Sequence, residues 1–213
     1  MGYRVVENYY RKEVFEFFRG YRNPFYSVSF VLQFSRLKTF LDERGYKTYL
    51  NLCYFFTRAM QPLEDFRYRM KDGDFVLYDS IHPGLTVPAA GGLFSFVNFT
   101  YDPDVDRFNA RAVMPSPDAP PNLADGAGDP DEDASIHVFY TAIPGIPFDA
   151  FTHATPGPSD AATRVAFGKP YEEYGELSVP VGIQVNHAFI DGRALGELYQ
   201  RAVEIFENPE RSE

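Results

Sequence analysis

The chain has 213 residues, 45% of them hydrophobic, and a formal net charge of −10 with no basic cluster. The length and hydrophobic fraction are sufficient for a folded core, whereas the acidic charge argues against nucleic-acid binding and against docking on an anionic membrane. The single cysteine, Cys53, excludes an intrachain disulfide, which fits a reducing cytoplasm. The first twenty residues contain no uninterrupted apolar stretch, so neither a signal peptide nor a membrane span is expected.

Strands are predicted where a short segment is mostly apolar or alternates between apolar and polar residues. These segments are residues 27–34, 66–70, 75–78, 93–99, 136–143, 164–169 and 176–187. Asp72-Gly73 lies between the second and third segments and predicts a β-hairpin, because Asp-Gly favours a tight turn between paired strands.

Helices are predicted from apolar residues at three- and four-residue spacing and from capping residues at their starts. The first covers residues 9–19, and the next two begin at Ser35 and Thr48 as N-caps. Another begins at Asp102, with Pro103 at the first helical position, where its fixed backbone angle suits a helix. A further helix ends the chain.

Residues 115–134 differ in composition from the rest of the chain, with five prolines, six acidic residues and no basic residue. Such a segment has little apolar surface to bury, so we expect a flexible surface loop. We do not expect a domain boundary there, because the flanking segments are short and strand-like. The sequence therefore predicts one α/β domain over residues 1–213 with a mixed, largely antiparallel sheet.

The strand over residues 176–187 carries the candidate chemistry. His187 ends its row of alternating apolar residues, at the rim of the core, where burial disfavours a charged imidazolium. A neutral imidazole can accept a proton near neutral pH. Asp191 follows at the N-cap position of the last helix. Taken alone, this pair has a simpler explanation than catalysis. His187 would be a buried histidine with satisfied hydrogen bonds, and Asp191 would be an ordinary helix cap.

The segment Gln184-Val-Asn-His-Ala-Phe-Ile-Asp-Gly192 resembles the active-site signature of chloramphenicol acetyltransferases, His-His-x-x-x-Asp-Gly, with Asn186 in place of the first histidine. Further segments are similar to the family and occur in the same order: residues 11–18, 67–74, 78–83, 94–95, 141–144 and 148–151. The sequence is therefore identified as a member of this family, and the acidic stretch is its least similar part.

The resemblance implies a two-layer α/β sandwich of the CoA-dependent acyltransferase fold. It also implies a homotrimer whose active sites lie at subunit interfaces. The implied activity is an O-acetyltransferase that moves the acetyl group of acetyl-CoA directly to a hydroxyl of a small molecule, either chloramphenicol or another acceptor. The implied location is cytoplasmic, and no metal is expected, because His82, His137 and His153 are scattered and lack ligand spacing.

By the same resemblance, His187 is the general base, Thr141 stabilises the oxyanion, and Asp191 pairs with Arg11 to order the histidine loop. The acceptor would contact four further residues: Phe18, Arg22, Tyr26 and Phe94. Core packing explains Tyr26 and Phe94 equally well, and an ordinary strand position explains Thr141.

This sequence departs from the family at the acceptor pocket. Arg22, Asn23 and Pro24 stand where smaller or apolar residues are typical, and Gly145 replaces a large aromatic residue. The pocket is therefore expected to be wider and more polar than one made for chloramphenicol. The altered pocket and the acidic insertion leave an alternative open, a binding or regulatory module that kept the fold without turnover. A purely structural scaffold is the third alternative.

Overall fold

The computed structural model describes residues 2–123 and 136–211, which form two sheets and five helices. The helices are α1 (Lys12–Phe18), α2 (Ser35–Glu43), α3 (Thr48–Met60), α4 (Val105–Arg111) and α5 (Gly192–Glu207). The strands are β1 (Tyr3–Val5), β2 (Phe25–Gln33), β3 (Tyr68–Lys71), β4 (Asp74–Tyr78), β5 (His82–Ala89), β6 (Leu93–Asn98), β7 (His137–Ala142), β8 (Arg164–Phe167), β9 (Tyr171–Glu173) and β10 (Glu176–Asn186). Among these described helices, none has the length and apolar character needed to cross a lipid bilayer.

The larger sheet has the strand order β2-β10-β8-β7-β5-β6, and β9 pairs with β10 beside this path. The β5–β7 and β7–β8 pairs are parallel, and the other pairs described in this sheet are antiparallel. Helices α2, α3 and α5 contact this sheet and one another, and the smaller sheet has the order β1-β4-β3. The predicted α/β fold with a mixed, largely antiparallel sheet is confirmed.

Strand β10 is covered on both faces. Val179, Val181, Ile183 and Val185 are fully buried and belong to the main apolar core. On the other face, a Cβ added to Gly182 would lie 3.0 Å from the Cβ of Phe151, which belongs to the segment that crosses that face. Because a shift of one residue would exchange the two faces, this packing fixes where β10 ends and the next turn begins.

The predicted hairpin between β3 and β4 is present. Asp72 and Gly73 have φ angles of 52° and 92°, and Lys71 pairs with Asp74 across the turn. Positive φ at both central positions matches the right-handed twist of the strands, and glycine adopts it without a steric penalty.

The predicted N-caps of α2 and α3 are wrong. Ser35 is the first residue of α2, and its hydroxyl donates to Glu176 at 2.6 Å and accepts the backbone N–H of Leu177 at 2.8 Å. Thr48 likewise lies inside α3, whose N-cap position is Lys47, and no side-chain cap bond is present there among the described residues. The Ser35 hydroxyl is used by β10 instead of by its own helix, and sequence spacing alone does not reveal this.

The predicted start of α4 is also wrong. Asp104 is the N-cap, and its carboxylate accepts the backbone N–H groups of Asp106 and Arg107 at 2.9 and 3.0 Å. Asp102 instead accepts the N–H of Asp104 at 2.9 Å and pairs with the Arg107 guanidinium. Pro103 therefore precedes the cap. Two aspartates two positions apart are equally good caps by composition, and the backbone conformation decides between them.

Strands β1, β5 and β9 were not predicted. Strand β5 contains Pro83 and Pro88, and proline argues against a strand because it cannot donate to the ladder. Only the stretch His82–Leu85 pairs with β7, so Pro88 lies beyond that pairing and opposite Phe94 of β6. The missing N–H of Pro88 is therefore tolerated in this strand.

The first part of the acidic loop is hydrogen-bonded to the β5–β6 hairpin. The N–H of Ala90 donates to the carbonyl of Ala119 at 2.9 Å, and the N–H of Phe96 donates to the carbonyl of Asn122 at 2.9 Å. Within residues 115–123, Ala119 and Asn122 therefore contact the sheet, and the rest of this part has no regular secondary structure. Residues 124–134 lie outside the described residues.

His82 and His137 lie side by side, which corrects the expectation of scattered histidines. The parallel register of β5 and β7 pairs them, and their ring centroids are 6.2 Å apart. His82 Nδ1 accepts the backbone N–H of Tyr101 at 2.9 Å. Burial, and then the neighbouring His137, lower the pKa of His82 from 6.5 to about 4. Within the described residues, no group of three or more His, Cys, Asp or Glu side chains is placed to hold a metal ion.

The low pKa of His82 makes stability depend on pH. The unfolded chain takes up this proton below about pH 6.5, whereas the folded chain keeps the ring neutral down to about pH 4. The stability that depends on a neutral His82 ring is therefore fully present above pH 6.5 and is lost as the pH falls toward 4. We expect His82→Asn, which still accepts the Tyr101 N–H, to reduce the stability lost between neutral pH and pH ~5 by about 2 kcal/mol. Urea unfolding of both proteins measures this, and equal losses would contradict it.

Candidate active site

His187 follows β10 directly and is held between two aromatic rings. Its ring centroid lies 4.6 Å from Phe18, which stacks at 28°, and 4.6 Å from Tyr26, which is tilted by 50°. Its backbone N–H donates to the carbonyl of Pro24 at 2.9 Å. The side chain is half-buried. The imidazole is thus fixed in orientation while part of it stays open.

The hydrogen bonds around His187 determine which ring nitrogen is available. Nδ1 lies 3.1 Å from the carbonyl oxygen of Ile190, and a carbonyl only accepts, so Nδ1 carries the hydrogen. Tyr26 donates its hydroxyl to the same carbonyl at 3.4 Å. Burial, and then the charge of Asp191, raise the pKa of Tyr26 to about 12, so it remains a donor. In the neutral ring Nε2 therefore bears a lone pair, and within residues 2–123 and 136–211 the ring bonds only through Nδ1.

Arg11 and Asp191, predicted as partners, are in contact. Arg11 Nη1 donates to Asp191 Oδ2 at 2.5 Å, and Arg11 Nη2 donates to the backbone carbonyl of His187 at 3.3 Å. The other carboxylate oxygen accepts the N–H of Ala194 at 3.0 Å, so Asp191 is also the predicted N-cap of α5. This arrangement ties the segment before α1 to both ends of the turn that carries His187.

Thr141 and Phe94 lie away from His187 in the same chain. Thr141 is in register with Ala166, which pairs with Gly182 of β10, and His187 lies five residues beyond Gly182. Strand spacing and rise per residue then give a separation of roughly 19 Å. Thr141 and Phe94 share a separate cavity of about 600 Å³. The structure therefore does not bring either residue to the His187 of its own chain.

Arg22 lines a cleft of about 720 Å³ beside the start of β2. Polar side chains are frequent in its wall: Asn23, Ser27, Ser29, Thr152, Thr155 and Gln184. Arg22 is exposed and makes no ion pair or hydrogen bond within the described chain, so its charge is solvated rather than buried. Tyr26 also lines this cleft, which connects the wall to the aromatic pair around His187.

Three polar residues of the site, His153, Gln184 and Asn186, were not predicted from the sequence as site residues. His153 lines both cavities, and its backbone N–H and carbonyl bind the amide of Gln184 at 2.9 and 3.2 Å. Asn186 donates to the carbonyls of Pro158 and Asp160 at 3.0 Å each. Gln184 and Asn186 are buried polar residues in a largely apolar strand, and that unusual position was the available signal.

Comparison with known proteins identifies the family. Residues 1–201 match the family described as chloramphenicol acetyltransferase. Chloramphenicol acetyltransferase 3 of Escherichia coli is 28% identical over 204 residues, which cover 94% of each chain. The chain belongs to the chloramphenicol acetyltransferase family. A chloramphenicol acetyltransferase of Proteus mirabilis is 30% identical over 190 residues, covering 88% of this chain and 86% of its own.

Solved structures agree with this membership in the chloramphenicol acetyltransferase family. A chloramphenicol acetyltransferase superposes with a TM-score of 0.84 at 26% identity, over 96% of this chain and all of its own. The dihydrolipoamide acetyltransferase of Azotobacter vinelandii has a TM-score of 0.62 at 18% identity, over 88% and 83% of the two chains, which shows the shared fold alone. The chain is therefore an acyltransferase with the fold of the CoA-dependent acyltransferases.

Proposed function

We propose that this chain is an acetyl-CoA-dependent O-acetyltransferase in which His187 is the general base. The observation that carries the proposal is the bond from Nδ1 to the Ile190 carbonyl, which leaves the lone pair on Nε2. In that tautomer the acceptor hydroxyl donates its hydrogen to Nε2 while its oxygen attacks the thioester carbonyl carbon. Collapse of the tetrahedral intermediate breaks the carbon–sulfur bond, and the imidazolium returns its proton to the departing CoA thiolate. No acetyl-enzyme forms.

The aromatic pair around His187 supports this role. Phe18 and Tyr26 restrict the ring, and the Ile190 carbonyl selects the tautomer, so little reorganisation is needed when the proton moves. Asp191 and Arg11 hold the turn and make no contact with the imidazole nitrogens among the described atoms. In this proposal they are positioning residues rather than proton carriers.

We propose that each site is shared between subunits of a homotrimer. The separation of roughly 19 Å between His187 and Thr141 within one chain supports this, because no hydroxyl acts on an oxyanion over that distance. In this arrangement the Thr141 hydroxyl of one chain donates to the oxyanion formed next to the His187 of its neighbour. Phe94 would contact the same substrates, since it shares a cavity with Thr141.

The proposed acceptor is a small hydroxylated molecule that binds in the cleft of Arg22. The hydroxyl, amide and guanidinium groups in its wall favour an acceptor with several polar groups over a wholly apolar one. Chloramphenicol and more polar alcohols, with and without a carboxylate, form the panel that tests this. Release of the CoA thiol is measured for each acceptor at fixed acetyl-CoA. CoA binding without turnover on the whole panel would favour the non-catalytic alternative.

The proposed cellular location is the cytoplasm, where acetyl-CoA is supplied.

Thr141→Val is expected to lower kcat by about 10²-fold, because it removes an oxyanion donor while it keeps the shape of the side chain.

A mixing experiment then tests whether active sites are shared between subunits. Chains carrying Thr141→Val and chains carrying His187→Ala are refolded together in equal amounts. With random assembly, about one quarter of the sites combine an intact His187 with an intact Thr141 from different chains, so activity returns to about that fraction of wild type. No recovery in verified mixed oligomers would contradict the shared site.

A further inference from the structure

Asp65 connects two segments that flank the His187 turn. It lies in the 3-10 turn Glu64–Phe66, and its side chain is 11% exposed. One carboxylate oxygen accepts the Tyr10 hydroxyl, and the other accepts Nη2 of Arg193 at 2.9 Å. Tyr10 precedes α1, and Arg193 lies in the first turn of α5. One buried carboxylate therefore links the entry to α1 with the start of α5.

This connection runs parallel to the ion pair between Arg11 and Asp191. Tyr10 adjoins Arg11 in sequence, and Arg193 follows Asp191 by two residues, so both links join the same two segments. The helix that starts after Arg11 supplies the ring of Phe18 that stacks on His187. Any loosening of α1 would therefore change the packing on the imidazole.

Helix α1 is short and only partly buried, so the links at its start contribute to holding it in place. Within the described residues it is seven residues long, has no side-chain N-cap bond and contains no buried residue. An isolated helix of this length is not stable in water. Its half-buried Phe15 contacts Phe75 and Phe189, with ring centroids 4.9 and 5.4 Å apart, so α1 is held on the core through a few ring contacts. Its exact position then depends on the polar contacts at its start.

We propose that Asp65 is a positioning residue for acetyl transfer, because it holds Tyr10 and Arg193 and thereby fixes α1 against His187. The inference rests on the proposed function for its catalytic consequence. Arg193 has an exposed side chain, and ion pairs of exposed groups contribute little to stability. The Asp65 link is therefore expected to act on geometry at the site more than on global stability.

Asp65→Asn tests this, because it keeps the size of the side chain and removes the charge that holds Arg193. We expect kcat to fall by about tenfold, because the Phe18 ring beside the imidazole is displaced. The KM for acetyl-CoA is expected to stay within about twofold of wild type, because CoA binding is not affected. Asp65→Glu restores the carboxylate and is expected to recover part of kcat. The matched control is Glu197→Gln, which removes a partner of Arg193 at 3.5 Å and leaves Asp65 intact. Its kcat is expected to equal that of wild type.

Amide hydrogen exchange gives a second readout that does not require turnover. In Asp65→Asn, exchange is expected to increase at residues 12–18 and 188–191 and to stay unchanged in α3. Unchanged exchange at both segments overturns the proposal whatever happens to kcat. If wild type is active and Asp65→Asn has an unchanged kcat, the proposal is also overturned. If wild type shows no turnover on any acceptor, the proposed function fails, and exchange alone decides whether Asp65 holds α1.

Discussion

Replacing His187 with alanine is expected to lower kcat by about 10²–10⁴-fold, the range that a positioned general base contributes. Nε2 of this residue is the proposed proton acceptor, and the ring is already oriented by Phe18, Tyr26 and the Ile190 carbonyl. Removal of the imidazole leaves the acceptor hydroxyl without a base. The measurement is the steady-state release of CoA thiol with the best acceptor of the panel.

Two controls separate this loss from unfolding and from a general effect of removing a histidine. Calorimetry with CoA is expected to give the same affinity for His187→Ala and wild type, because Nε2 acts on the acceptor rather than on CoA. His82→Asn changes a histidine on β5, outside the site, and is expected to retain full kcat at neutral pH. Turnover of His187→Ala at the wild-type rate would remove His187 from the mechanism.

Replacing Asp191 with asparagine is expected to lower the free energy of unfolding by about 3 kcal/mol, because it leaves the Arg11 charge without its partner. The Arg11 side chain is 8% exposed, so water cannot replace the lost carboxylate fully. Asparagine is as good an N-cap as aspartate, so the bond to the Ala194 N–H is retained and the change isolates the ion pair. Urea unfolding at neutral pH measures the difference.

An exposed pair provides the control for Asp191→Asn. Lys38 and Asp42 lie 2.5 Å apart on α2, with side chains 34% and 59% exposed. Asp42→Asn is expected to change stability by less than about 0.5 kcal/mol. If both substitutions had equal effects, the burial of Arg11 would have no energetic consequence, and the explanation would be wrong.

The effect of Asp191→Asn is also expected to depend on pH. Burial by itself raises the pKa of Asp191, but the Ala194 N–H and Arg11 outweigh it and leave the pKa below the ordinary value of 3.8. A carboxylate with a lowered pKa stabilises the fold above that ordinary value, and this contribution is lost as the pH falls through the folded pKa. The difference between wild type and Asp191→Asn should therefore shrink below about pH 4. A difference that stays constant from pH ~7 to pH ~3 would contradict this.

The sequence was most informative where structure depends on near neighbours. The alternation in β10 placed His187 at the end of an apolar row, and Asp191 was identified as the cap of α5; both are present. The resemblance to the family added the pairing of Arg11 with Asp191, which lie 180 residues apart and which spacing alone does not connect. The same local reasoning failed at Ser35, whose hydroxyl is used by β10, and it did not predict β5, a strand that contains two prolines.

Local patterns therefore determined the fold class, the rim position of His187 and the cap at Asp191, because each depends on residues within a few positions in the chain. Tertiary structure decided which nitrogen of His187 is available, which residues hold α1, and how far Thr141 lies from His187. The last two of these features depend on strand order and on partners distant in sequence. The available nitrogen depends on the shape of the turn between β10 and α5, which brings the Ile190 carbonyl against the ring of His187 only three residues before it.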